Sequence, residues 1–228
     1  MTTTIAAKQP KWRANLSAVK EVMFKFPFYL ISHPFKGFDE MKNLKRGDLR
    51  FALVVMFALG FVALLRSGYT GFVITGVFTP DPFVNIPITL IMTYAPIILF
   101  VLANWSVTTI TDGKGNMREI FLVYCYAIYL SVFTTIIGVV LSNFVTLNEA
   151  AFVRFFFGFG TFVWLLYLFI GLIVVHEYSF FKSVLMVIFT IGAMFIITFV
   201  FALFFNLFSN VIFFFVTLVQ EFTAHYLT

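Results

Sequence analysis

Two short runs carry the residue types most able to do chemistry. Asp112-Gly113-Lys114-Gly115-Asn116 sets a cation between two glycines, inside a polar stretch flanked by long apolar ones. Glycines beside a lysine are what a phosphate-cradling loop uses, since glycine lets backbone N–H groups approach the phosphate and the ammonium neutralises it. The spacing excludes that use. A P-loop requires G-x-x-x-x-G-K-[ST], whereas only Lys114 stands between these glycines and no hydroxyl follows it. His176-Glu177 opens like the H-E-x-x-H zinc-protease helix, but position 180 is Phe. No G-x-S-x-G nucleophile elbow is present. Ionisable groups inside apolar segments mark ion and proton pathways. Here Asp81, Glu149, Arg154 and Glu177 fall at segment ends or in loops, and the segments hold only mild groups: Thr93, Tyr94, Ser131, Thr134, Thr135, Thr190 and Thr198. His33 and His176 are predicted on one side of a membrane and His225 on the other, which precludes a histidine metal site. The expectation is a protein that is not an enzyme, with no cofactor, no metal and no nucleic-acid partner.

The elements that position these residues follow from composition. Of 228 residues 61% are apolar and 11% charged, 35 are Phe, and the mean hydropathy is +1.02. Soluble domains carry about 25% charged residues, so lipid must be the main solvent. A helical crossing takes about 20 apolar residues, and five runs qualify: about 49–66, 86–104, 120–141, 154–175 and 184–208. The predicted fold is all-α, a polytopic membrane bundle of five transmembrane helices preceded by an amphipathic helical arm over 1–48. Asn206, Ser209 and Asn210 are the expected break after the fifth span, setting 209–228 apart as an extension. Pro96 predicts a kink near Met92. The single cysteine, Cys125, allows no intrachain disulfide.

Orientation follows from Lys and Arg close to the spans. Of the 15, all but Arg66 and Arg154 fall on one side of a five-span layout, which places the amino terminus in the cytoplasm and the carboxyl terminus outside a plasma membrane. The arm sets Leu16, Val19, Val22, Met23 and Phe26 at helical spacing, divided by Pro27 and Pro34. A basic amphipathic helix of this kind lies on an anionic leaflet, with Lys20, Lys25, Lys36, Lys42, Lys45 and Arg46 as membrane-surface contacts. The glycine run is then the cytoplasmic turn between the second and third spans. Trp105 sits at the interface, Gly113 and Gly115 permit a reversal with positive φ, and Asn116 caps a helix whose first turn holds Glu119.

Three features in order carry a family resemblance. They are the pre-span segment "HPFKGFDEMKNLKRG", the second span ending in Trp105, and "WSVTTITDGKGNMREIFLVYCYAIYL", where the polar turn leads into aromatics. Over roughly Ile31 to Val200 the chain resembles the Yip, or Ypt-interacting, family of five-span membrane proteins. That family has a tyrosine near the start of its third span, which Tyr126 matches, with Tyr124 as the register alternative. The proline that follows it in the family, and the Asp-Leu-Tyr-Gly-Pro element of eukaryotic arms, are absent, so binding to Rab-type GTPases is not carried over, and the inner-membrane charge polarity and Phe-rich style resemble the bacterial type. It implies a non-enzymatic accessory or scaffold for a membrane-protein partner such as transporter subunits, with carbohydrate-uptake ABC systems as the associated class. Trp105, Asp112, Gly113, Lys114, Gly115, Arg118 and Tyr126 form the candidate docking or topology turn. A small transporter or channel is the competing reading.

Overall fold

The computed structural model describes residues 21–75 and 84–226. A short π-helical turn, Glu21–Lys25, leads into α1 (Phe26–Ser32) and α2 (Pro34–Asn43). The spans are α3 (Leu49–Tyr69), α5 (Ile86–Ile110), α6 (Met117–Ser142), α7 (Ala150–His176) and α8 (Phe180–Tyr226), with a single turn α4 (Phe72–Thr75) between the first two. Local chemistry sets their starts. The Asp48 carboxylate accepts the Arg50 N–H at 2.7 Å, and the Asn85 side chain accepts the Ile88 N–H at 3.1 Å. Asn116 caps α6 as expected, its own N–H donating to the Glu119 carboxylate at 3.0 Å.

Five helices are long and apolar enough to cross a membrane, at the five places the sequence predicts. The fifth differs in extent. Instead of ending near 208, α8 runs unbroken through Asn206, Ser209 and Asn210 to Tyr226. The polar residues do not compete with the backbone ladder, because Asn210 Nδ2 donates to Asn206 Oδ1 one turn back at 3.0 Å. Thr198, Thr217 and Thr223 likewise donate to carbonyls four residues earlier. Pro96 lies within α5 without ending it.

At the centre stands α6. It packs most extensively on α7 and next on α3, while α8 packs chiefly on α5. Ile120 and every residue from Leu122 to Ile128 are buried, so just past its first turn α6 is enclosed on nearly every side. The arm completes that enclosure. Phe26, Leu30, Phe38 and Met41 share one core cluster with Phe51, Val123, Tyr126 and Leu172. Among the described residues the buried side of the arm meets α6 and α7, while Phe24, Phe28 and Phe35 stay exposed. Tyr167 fastens the arm by donating to the Ile31 carbonyl. Both prolines fit by standing in the first turns of α1 and α2, where a missing N–H costs nothing. Leu16 to Lys20 of the predicted arm helix lie outside the described residues.

Candidate functional site

The glycine turn closes on the end of α7. Gly115 N–H donates to His176 Nδ1 at 3.3 Å, and His176 Nε2 lies 3.1 Å from Asn104 Oδ1. Asn104 Nδ2 donates to Thr190 Oγ1 at 3.1 Å, and that hydroxyl donates to the Met186 carbonyl at 2.8 Å. The donors set one direction through the set. Because Nδ1 accepts from Gly115, the proton of a neutral imidazole belongs on Nε2, which donates to Asn104. A polar chain thus runs from the turn through α7 and α5 into α8, and His176, Asn104 and Thr190 are buried throughout. Tyr178 roofs it, stacked on His176 with ring centroids 5.4 Å apart, its hydroxyl donating to the Thr111 carbonyl and Lys182 Nζ standing 4.3 Å from its ring centroid.

The glycines serve this approach rather than a left-handed reversal. A Cβ at Gly113 would stand 2.6 Å from the Tyr178 hydroxyl, and one at Gly115 would stand 2.7 Å from the His176 ring. Positive φ falls instead on Asp112 and Glu177, both at 57°, a correction to the sequence expectation. The turn must let a ring reach its backbone, and only glycine leaves that room.

Glu177 ends α7 in a Schellman arrangement, with Tyr178 N–H on the Ile173 carbonyl and Glu177 N–H on that of Val174. Glycine is the usual residue there, and a non-glycine in the left-handed region is strained. The carboxylate explains the choice. Its two oxygens meet Lys114 of the turn at 2.5 Å and Lys42 of α2 at 2.7 Å. Lys42 also donates to the Val175 carbonyl at 2.9 Å. One side chain thereby ties the arm, the turn and the end of α7 together. The Lys114 and Lys42 bonds hold the Glu177 carboxyl down at about 2. A depressed carboxyl adds stability that is complete above its unfolded value of about 4.5 and is lost as pH falls toward 2. The unfolding midpoint of the wild type in detergent is expected to drop more than that of Glu177→Gln across this window; equal slopes would mean that the clasp adds nothing.

The structure divides the sequence-predicted site residues. Gly113, Lys114 and Gly115 join the hub. Trp105 is 42% exposed on the outer side of α5, and Asp112 and Arg118 are exposed as well. Tyr126 is 2% exposed, packed against Phe51 at 4.4 Å and edge-on to Phe26 at 5.5 Å, so it is a core residue and presents no docking face. Lys25, Lys36 and Lys45 are exposed. Lys42 is turned to Glu177, and Arg46 pairs with Glu40 over the Phe26 ring. Asn104, His176, Glu177 and Thr190 are the hub residues that sequence reasoning did not assign. The available signal was the adjacent pair His176-Glu177 at a span end on the side that gathers the cations.

Among the described residues no group of three His, Cys, Asp or Glu is placed to hold a metal. The polar groups of the hub are taken up in bonds between helices. A family model described as the Yip1 domain matches residues 28–202. The chain belongs to the Yip1 domain family. No curated protein and no solved structure matches it. The Yip1 domain thus begins inside α1, contains the whole hub, and ends within α8, leaving the distal part of that helix beyond it.

Proposed function

We propose that this Yip1 domain protein is a non-enzymatic accessory or scaffold subunit for another integral membrane protein, with its basic end in the cytoplasm and its spans in the plasma membrane. The observation that carries this is the surplus of α8. At 1.5 Å per residue its 47 residues extend roughly 70 Å. A bilayer with its headgroups is about 40–45 Å thick, and even a tilt of about 40° leaves roughly 54 Å along the normal. Beyond residue 202 the helix still displays Phe204, Phe208, Phe213, Phe214, Phe215 and Phe222, each more than half exposed. Apolar surface of this extent standing outside lipid calls for protein to cover it. The partner class we propose, subunits of an uptake transporter of the carbohydrate ABC type, is supported only by the resemblance to bacterial Yip proteins.

Removing 203–228 tests it. The shortened chain is expected to fold, because the core cluster lies wholly before this segment, and to lose a stoichiometric partner that the full chain retains in mild detergent, read by mass spectrometry of co-eluting proteins. A full chain that purifies alone from its native membrane refutes the accessory reading.

A further inference from the structure

At the basic end a crevice of about 550 Å³ opens between α1, the link from α2 to α3, and the start of α6, lined by Lys45, Arg46, Asp48, Arg50 and Arg118. Among the described residues no carboxylate pairs with Lys45, Arg50 or Arg118. Asp48 contributes the negative charge in the lining, and its side chain accepts the Arg50 backbone N–H. Arg50 and Arg118 stand in the first turns of α3 and α6, where the helix dipole disfavours cations and favours anions. The lining therefore keeps a net positive charge beyond what Asp48 offsets, the sign that attracts a phosphate.

Below it lies a second space. A groove of about 370 Å³ runs between α3, α5 and α6, lined by Leu49, Met56, Ile97, Ile98, Val101 and Phe121, and it shares Arg118 with the crevice. Leu49 also sits between Asp48 and Arg50 in the chain, so the two spaces adjoin at both walls. Depth decides what fits. The 21 residues of α3 measure roughly 31 Å, one hydrocarbon thickness, so its first turn marks the boundary of the core. The crevice then lies at headgroup level and the groove at acyl-chain level. Both volumes are in the range of ligand sites, roughly 300–1,000 Å³.

We propose that crevice and groove together bind one anionic phospholipid, its phosphate held by Arg118, Arg50 and Lys45 and one acyl chain laid along Leu49, Met56, Ile97 and Phe121. A free phosphate would satisfy the crevice but leave the groove without an occupant; a lipid satisfies both, and Arg118 at the junction takes the phosphate next to the glycerol. The site belongs to the membrane-embedded bundle and stands whether or not α8 finds a protein partner.

Native mass spectrometry of the full chain in detergent, titrated with dioleoyl phosphatidylglycerol and separately with dioleoyl phosphatidylcholine, tests it. Phosphatidylglycerol is expected to be retained more tightly. Arg118→Ala and Arg50→Ala are each expected to weaken it about fivefold, the size of one cation–headgroup contact, and to weaken phosphatidylcholine, whose choline cation offsets its phosphate, by less. Arg118→Lys restores part of the loss. Met56→Trp fills the groove and is expected to weaken phosphatidylglycerol with both arginines intact. Unfolding midpoints matching the wild type confirm that the variants are folded, as the exposed arginines lead one to expect. Equal retention of the two lipids, or full phosphatidylglycerol binding by the Arg50→Ala and Arg118→Ala variants, overturns the proposal. So does displacement of the lipid by millimolar inorganic phosphate or glycerol 3-phosphate, which would make the crevice a site for free anions.

Discussion

Tyr126→Ala is expected to destabilise the protein by about 3–5 kcal/mol, the range for truncating a large buried aromatic, while Tyr126→Phe stays within about 1 kcal/mol of the wild type. The asymmetry follows from what the ring and the hydroxyl each do. The ring fills the junction of three elements, with Phe51 of α3 stacked on it and Phe26 of α1 against its edge. Its hydroxyl has one long bond, from the Asp48 N–H at 3.4 Å. The phenylalanine therefore keeps nearly all the contacts, and the alanine leaves a void that the surrounding helices cannot close. Phe26 and Asp48 also line the basic crevice, so the alanine variant is expected to retain less anionic lipid as well. Thermal unfolding in detergent, followed by size-exclusion monodispersity, reads the first effect. An alanine variant with the wild-type midpoint that had lost only a protein partner would return Tyr126 to the surface role its family position suggested.

What the sequence disclosed and what it hid divide along a physical line. Membrane helices are legible because about 20 apolar residues are required locally, and the Asn116 to Glu119 start of α6 is legible because a cap is satisfied within four residues. The continuation of α8 through Asn206 and Asn210 was not, since whether an amide breaks a helix depends on finding a partner one turn away. The hub was hidden for a different reason. Gly115 meets a ring 61 residues on, and Lys42 meets a carboxylate 135 residues on. Periodicity carries no information about such pairings. Sequence shows only the conformations that two glycines allow, yet what selects Gly113 and Gly115 is the space that His176 and Tyr178 occupy. Charge was legible in sign alone: the sequence places the cations on one side, but only the fold shows Lys42 and Lys114 held by Glu177, with Arg50 and Arg118 brought to a common crevice.

Asn104→Leu is the second large effect expected, because among the described residues Asn104 is the only side chain bonded to both His176 and Thr190. Leucine leaves the His176 Nε2–H without an acceptor in a buried site. Such an orphan costs about 1–3 kcal/mol in soluble proteins, whereas polar contacts between membrane helices average about 0.6 and reach about 1.7 kcal/mol. An expected loss of about 1–2 kcal/mol respects both ranges. The loss is not shared evenly along the chain. Thr190 keeps its bond to the Met186 carbonyl, so Thr190→Val alone is mild, and in the Asn104→Leu background it is milder still, because the partner it would have orphaned is already gone. The double variant is thus expected to cost less than the sum of the singles. Additive effects would show that the three groups act separately. The mechanical consequence is larger than the energy. Since α8 packs chiefly on α5, leucine at 104 removes one of two polar links across that contact among the described residues, leaving the Thr111 hydroxyl on Met186 Sδ at 3.1 Å, and it cuts the one that runs through His176. Hydrogen exchange is then expected to quicken at the amide of Gly115 and at the start of α8 together, which a purely local defect in α5 would not produce.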